Sequence, residues 1–225
     1  TYTVTVTSAA GCTSSTTATQ VVNLLPVPTA TNTGAYCTGA TIQLNSSGGT
    51  GYSWSGPLAY TNGTQNPTIA GATAGMGGDY TVTVTNAAGC TAIAVTTVIV
   101  NSTPVATSTN TGPYCEGTTI QLNSTGGGTY SWSGPSAYIN GTQNPTIGGV
   151  TTLATGTYSV TATTSGCSGP VGTVSVTINQ TPVASFTSTA PSCTADSEDF
   201  LNTGTTGATY SWNFGDGSPP GAGVS

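Results

Sequence analysis

Six cysteines, Cys12, Cys37, Cys90, Cys115, Cys167 and Cys193, carry most of the chemical potential of this 225-residue chain. Thiols in such a set ligate a metal, act as nucleophiles or pair as disulfides. Zinc sites use ligands clustered in sequence, and here neighbouring cysteines are never closer than 25 residues (37 − 12), with no histidine to complete a site. A catalytic thiol or hydroxyl needs a neighbouring base, and the chain contains no His, Lys or Arg at all. Pairing in an oxidising, extracellular compartment is what remains.

The other reactive groups offer less. The six acids are Asp79, Glu116, Asp196, Glu198, Asp199 and Asp216. Asp196, Glu198, Asp199 and Asp216 form a hard-oxygen set of the kind calcium takes, but no Dx[DN]xDG loop accompanies them, and a solvated acidic loop with an Asp-Gly turn is the favoured reading. Asp79 and Glu116 stand alone in sequence, so no carboxylate pair is expected to do acid–base work and no cofactor or enzymatic activity is expected. Asn-X-Ser/Thr triplets at Asn45, Asn62, Asn101, Asn123, Asn140 and Asn179 are candidate glycan acceptors, alongside O-glycans on Thr and Ser faces. Tyr60 and Tyr138 are candidates for stacking on sugars, with a core or junction role as the alternative.

Composition narrows the partners. The formal net charge is −6, and without a basic residue there is no patch to neutralise phosphates, which excludes nucleic acid and disfavours anionic membrane surfaces. No apolar run approaches the length of a membrane span, so direct membrane insertion is not expected. The surface must be Thr, Ser, Asn and Gln, insensitive to salt and without sites for a trypsin-like protease.

What positions the cysteines is a repeat. Tyr36, Cys37, Trp54, Asn62 and Tyr80 recur as Tyr114, Cys115, Trp132, Asn140 and Tyr158, each 78 residues on (114 − 36). Pro26, Pro104 and Pro182 keep the same spacing and mark short, stiff junctions. The expected modules are therefore 1–27 (the closing third of one), 28–103 and 104–181 (complete), and 182–225 (the start of another). Within a module, apolar and Thr residues alternate with period two and turns follow every 8 to 12 residues, which predicts an all-β sandwich of about seven strands. Predicted strands include Thr29–Asn32, Thr41–Asn45, Tyr80–Thr85 and 90–100. Tyr2, Val4 and Val6 predict a half-buried strand, paired through the turn Ser8–Gly11 with a second run, Thr16–Leu25. Asn62-Gly63 and Asn66-Pro67 read as turns. Trp54, Trp132 and Trp212 are the expected core anchors, with Tyr80 and Tyr158.

In the last module, Tyr210, Trp212, Phe214, Gly215, Asp216 and Gly217 match the YxWxFGDG signature, and the chain here resembles PKD domains, Ig-like sandwiches of extracellular proteins. The upstream YCxGxxIxL, YxWSGP, QNPTI and GTYxVTVTxxxGC strings are similar to the PKD-like and Ig-like repeats of large Bacteroidetes cell-surface adhesins. The complete modules lack FGDG and are better described as Ig-like. The resemblance implies secretion by the type IX route, a bacterial cell-surface location, and a role in adhesion or gliding motility.

In an Ig-like sandwich, the loop holding Cys37 and the turn holding Cys90 lie at opposite ends. Modules stacked head to tail as a rod then bring Cys37 to Cys167 of the next module, with Cys115, Cys193, Cys12 and Cys90 pairing to neighbours beyond. Within-repeat pairs, Cys37 with Cys90 and Cys115 with Cys167, are the alternative. The functional expectation is a structural segment of a surface adhesin, stalk or filament. Its partners would be neighbouring modules, copies of itself and surface glycans. An accessory spacer or glycan-binding region of a secreted polysaccharide-degrading enzyme is the alternative. The chain is expected to be a window on a longer array, with polymerisation by completion of half-domains as the other explanation of its register.

Overall fold

The computed structural model describes residues 1–188, 200–213, 215 and 221–224, the last four as backbone. Tyr2–Thr7 (β1) and Thr13–Ala18 (β2) form an antiparallel hairpin. The first complete repeat contains Thr29–Asn32 (β3), Tyr36–Cys37 (β4), Ile42–Ser47 (β5), Gly51–Gly56 (β6), Tyr60–Asn62 (β7), Thr68–Ile69 (β8), Gly78–Thr85 (β9), Thr91–Val98 (β10) and Val100–Asn101 (β11). The second contains Thr107–Asn110 (β12), Tyr114–Cys115 (β13), Ile120–Thr125 (β14), Thr129–Gly134 (β15), Tyr138–Asn140 (β16), Thr146–Ile147 (β17), Gly156–Thr164 (β18), Cys167–Ser168 (β19), Gly172–Val176 (β20) and Ile178–Asn179 (β21). Phe186–Ser188 (β22), Phe200–Asn202 (β23), Thr209–Trp212 (β24) and Gly221–Val224 (β25) follow.

The first repeat is a sandwich of a three-stranded and a four-stranded sheet, the second of a three-stranded and a five-stranded sheet. In the first the orders are β3-β5-β8 and β10-β9-β6-β7, with β4 running parallel to β11. In the second they are β12-β14-β17 and β16-β15-β18, with β19 and β20 both pairing along β18, and β13 parallel to β21. Inward positions alternate as the strand period requires. Ile42 and Leu44 of β5 face Trp54 of β6 and Tyr80, Val82 and Val84 of β9, and each of these is at most 1% exposed. Ile120, Leu122, Trp132, Tyr158 and Val160 repeat the arrangement. Burying an indole and a phenol this completely contributes several kcal/mol per module, since aromatic side chains dominate core energetics.

Two features place this sandwich in the Ig-like class on topology alone. A buried tryptophan stands on the third of seven main strands. At the start of the sixth, Tyr80 donates its hydroxyl proton back to the Met76 carbonyl (3.0 Å), and Tyr158 does the same to Ala154 (3.0 Å), the tyrosine corner of such folds. The inward positions where antibody domains join their sheets by a disulfide carry Leu44 and Val82 or their neighbours, so the cysteines are free to act elsewhere.

The repeat strings have specific backbone jobs. In Gln65-Asn66-Pro67, Gln65 offers its carbonyl to the Trp54 indole N–H (3.2 Å) and donates its amide to Ser46 O (2.9 Å). The Asn66 side chain accepts from Ser46 N–H (3.0 Å), and Pro67 O accepts from Leu44 N–H (3.0 Å). The predicted turn at Asn66-Pro67 is therefore an extension of the pairing along β5, carried by side chains where a proline cannot donate. In the Ser-Gly-Pro string, a Cβ on Gly56 would overlap the Tyr80 ring, and one on Gly134 the Tyr158 ring. The following turn puts Leu58 and Ala59 at φ 54 and 57, and Ser136 and Ala137 at φ 54 and 58, with Tyr60 N–H donating to Pro57 O. This is a type I′ geometry built without glycine, at a cost of about 1–2 kcal/mol per left-handed residue.

Two expectations are corrected. The second strand of the first hairpin is Thr13–Ala18, not Thr16–Leu25, in register with β1 from Thr7 opposite Thr13 to Tyr2 opposite Ala18. Tyr2, Val4 and Val6 are 72%, 58% and 65% exposed rather than half-buried, since among the described residues no second sheet covers the two-stranded β1-β2 ladder. In the last module Phe186, Phe200 and Trp212 cluster, with Phe186 edge-on to Trp212 at 5.4 Å and Trp212 half-buried.

Candidate functional site: the disulfide at Cys37

The chain divides into two compact units. The first comprises Thr1–Pro104 together with Thr163–Gly169, and the second Val105–Ala162 together with Pro170–Ser225. The hairpin tip between β18 and β19 thus belongs to the first unit, and there Cys167 is disulfide-bonded to Cys37 with a Cα–Cα separation of 5.5 Å. The two cysteines are 130 residues apart in sequence and stand in successive repeats.

The local structure explains why the bond falls here. Cys37 ends the two-residue parallel pair of β4 with β11, opposite Asn101. Tyr36 anchors that pair: its hydroxyl accepts from Thr33 N–H (3.1 Å) and Gln43 N–H (3.2 Å) and donates to Gln43 O (3.0 Å). Thr38 N–H bonds Asn101 O (2.9 Å), so the backbone on either side of Cys37 is held. Asn101 in turn donates its side-chain amide to Ser165 O (3.3 Å) on the incoming turn. That turn is tight, with Ser165 and Gly166 at φ 50 and 78 and Cys167 opposite Thr164. Cys167 is 1% exposed, and a side chain on Gly169 would run into the Pro104 carbonyl. Closing so long a loop removes chain entropy worth about 5 kcal/mol in the unfolded state on the loop-entropy argument.

Cys12, Cys90 and Cys115 carry free thiols, with Cys12 and Cys115 exposed. The pairs Cys37 with Cys90 and Cys115 with Cys167 are not formed. Cys193 lies outside the described residues, as do the calcium candidates Asp196, Glu198, Asp199 and Asp216 and, from the PKD signature, Phe214 and Gly217. Among the described residues no group of three or more His, Cys, Asp or Glu side chains could hold a metal ion. Asp79 accepts from the Thr97 hydroxyl (2.6 Å), and Glu116 accepts from Thr152 N–H (3.1 Å).

Tyr60 and Tyr138 pack edge-on against Tyr80 and Tyr158, ring centroids 5.5 Å apart in each pair, which turns them toward the core. Burial raises the pKa of all four phenols, and for Tyr80 and Tyr158 the neighbouring phenol adds to the rise. Of the glycan candidates, Asn62 and Asn140 accept from the N–H and hydroxyl of their own Thr64 and Thr142 at 2.8 Å. Asn45, Asn101 and Asn123 are half-buried, and Asn179 is exposed.

No family model matches the chain, and no curated protein matches it. Among solved structures it is similar to murine CEACAM1b (13% identity, TM-score 0.40), with 68% of this chain and 100% of that chain aligned. It is also similar to extracellular domains 3–5 of Drosophila OTK (14% identity, TM-score 0.46), with 77% and 68% aligned. A third is the insect immune protein hemolin (18% identity, TM-score 0.42), where 68% of this chain spans 47% of that one. The Ig-like assignment stands on the strand order, the buried tryptophan and the tyrosine corner given above.

Proposed function

We propose that the chain is a structural segment of an extracellular, repetitive surface protein, a stalk or filament giving reach and stiffness and contributing to adhesion. The observation that supports this reading is the Cys37–Cys167 bond, which ties the opening strand of one repeat to the closing hairpin of the next. The bond lies outside the tryptophan cores of the two sandwiches. Its effect is to limit how far successive repeats can be pulled apart, and it needs an oxidising compartment to persist. The absence of Lys, Arg and His fits a surface exposed to proteases and to charged debris. The complete modules are taken as 28–103 and 104–181, flanked by 1–27 and 182–225.

The finer assignment, to a Bacteroidetes-type adhesin on the bacterial cell surface, secreted by the type IX route and meeting neighbouring modules, its own copies or surface glycans, rests on the YCxGxxIxL, YxWSGP and YxWxFGDG strings. Electron microscopy of the native material tests the structural role. Long uniform filaments or stalks support it, whereas short modules attached to a globular catalytic body would replace it with a spacer role in a secreted enzyme.

A further inference from the structure

We propose that Asn62 and Asn140 are self-modifying sites, at which the following glycine amide displaces the side-chain amide and leaves an aspartate that the fold holds better than the asparagine. Asn-Gly occurs only twice in the chain, at 62–63 and 140–141, one repeat apart (140 − 62 = 78). Each asparagine ends a short strand, Asn62 opposite Trp54 and Asn140 opposite Trp132. Each is half-buried and is followed by an exposed glycine and an exposed threonine, so water reaches the backbone there. Glycine, with no side chain, leaves the attacking nitrogen unhindered.

The side chain is held in the attitude that the attack requires. Asn62 Oδ1 accepts from the N–H and the hydroxyl of Thr64, both at 2.8 Å, and Asn140 Oδ1 accepts from those of Thr142 at the same distances. The ring closed by the N–H bond contains both the side-chain carbonyl carbon and the glycine nitrogen, so the amide is folded back along its own backbone. The two donors also polarise that carbonyl and face the oxyanion that forms on it, as in acyl transfer. Among the described residues the Gly63 and Gly141 N–H groups donate to no acceptor, which leaves them free to react. With Oδ1 engaged by the threonine, the amide nitrogen is left to face the neighbouring phenol. The hydroxyls of Tyr60 and Tyr138 are buried without a hydrogen-bond partner, and the asparagine is the polar side chain beside each. A carboxylate puts an acceptor oxygen where the amide had a donor nitrogen, and so satisfies a buried hydroxyl that is otherwise destabilising.

The Gly63 nitrogen bonds to the Asn62 side-chain carbonyl carbon, the bond from that carbon to Nδ2 breaks, and the nitrogen leaves as ammonia with the proton lost by Gly63. The product is a five-membered cyclic imide. Water then adds to one of its two carbonyl carbons and reopens the ring, so that asparagine and water become aspartate and ammonia with no oxidant or cofactor. Opening at the side-chain carbon restores the backbone as aspartate. Opening at the backbone carbon gives the isomer, whose extra main-chain carbon disturbs the pairing with Trp54. The ladder and the Tyr60 hydroxyl both favour the first product. Conversion at both sites takes the formal net charge from −6 to −8 (two added carboxylates), with no basic residue to offset it. The proposal is independent of the surface-stalk reading.

The test incubates the full, unglycosylated chain in mildly alkaline buffer and follows its chymotryptic peptides by mass, with the other asparagines as internal controls. The expected result is the amide-to-carboxylate mass change at Asn62 and Asn140 ahead of Asn45, Asn101 and Asn123, with a stepwise acidic shift on isoelectric focusing. Gly63→Ala fits, because a Cβ there meets only the Tyr52 carbonyl oxygen at 3.9 Å, and it should suppress the change at Asn62 while leaving that at Asn140. Cleavage by an aspartate-specific protease at the new residue identifies aspartate rather than its isomer. Asn62→Asp should raise the unfolding midpoint, and the gain should vanish in a Tyr60→Phe background. Asn62 and Asn140 intact, the isomer as main product, or a lowered midpoint in Asn62→Asp overturns the proposal.

Discussion

The hexapeptide Tyr-Thr-Val-Thr-Val-Thr occurs twice, at Tyr2–Thr7 and at Tyr80–Thr85, as a strand both times and in two different situations. In the second, its tyrosine and both valines are at most 1% exposed. In the first, the same three side chains are 58% or more exposed. Local pattern is thus enough to make the strand and its hairpin, because β-branched residues in alternation favour a pleated ladder. Burial is decided elsewhere, by whether a second sheet, here the one carrying Ile42 and Leu44, lies opposite. The same lesson holds for the cysteines: the type and ladder position of Cys37 and Cys115 agree, and it is the tertiary placement of the Cys167 hairpin that gives Cys37 its bond.

That comparison can be broken at its strongest point first. Trp54→Ala should cost about 3–5 kcal/mol in the first complete repeat, read as a loss of cooperative unfolding for that module in a thermal melt. A result under about 1 kcal/mol would mean that the tryptophan is not what distinguishes a buried hexapeptide from an exposed one. A matched pair sharpens the contrast: Val82→Ala should lose about 2 kcal/mol, whereas Val4→Ala should stay within about 0.5 kcal/mol, both by denaturant titration. Equal losses would show that the first hairpin is covered in solution. A smaller effect of opposite sign is expected at the turn after Gly56. Ala59→Gly relieves a left-handed alanine at φ 57 and should stabilise by about 1 kcal/mol, partly offset by the added freedom of glycine in the unfolded chain.

The smallest effect is with pH. Tyr60, Tyr80, Tyr138 and Tyr158 have pKa values raised in the folded state, chiefly by burial. Their contribution is complete below the ordinary tyrosine pKa of about 10 and is lost as pH rises above it. Stability should therefore hold from neutral pH to about 9 and fall in alkali, in step with the ultraviolet phenolate signal.

Much of this fold was legible in the chain because it is written twice. The 78-residue spacing and the alternation in Ile42–Leu44 and Tyr80–Val84 locate the inward faces, and Trp54 declares itself as the largest apolar residue on a strand. Hidden features are those in which a side chain does backbone work. Asn66 and Pro67 read as a turn, yet the side chains of Gln65 and Asn66 hydrogen-bond along β5, since only three-dimensional pairing shows which strand they lie beside. The hydroxyls of Tyr36 and Tyr80 look like ordinary aromatic tips until their acceptors at Gln43 and Met76 come within 3.0 Å. Leu58 and Ala59 give no sign of positive φ, because the usual glycine or asparagine is absent and the neighbouring strands impose the turn. Cysteine spacing narrows the pairing to two schemes, and the choice between them depends on which turn reaches β4, a long-range fact no local pattern carries.

The most direct measurement of the strap is force extension of a single chain held by its two ends, with and without dithiothreitol. With the disulfide closed, the chain from Cys37 to Cys167, a sequence separation of 130, cannot contribute to the stretched length. Reduction should release about 450 Å of additional contour, at roughly 3.5 Å per residue. A total contour length unchanged by the reductant would contradict the account, because it would mean that successive repeats are not tied together at Cys37.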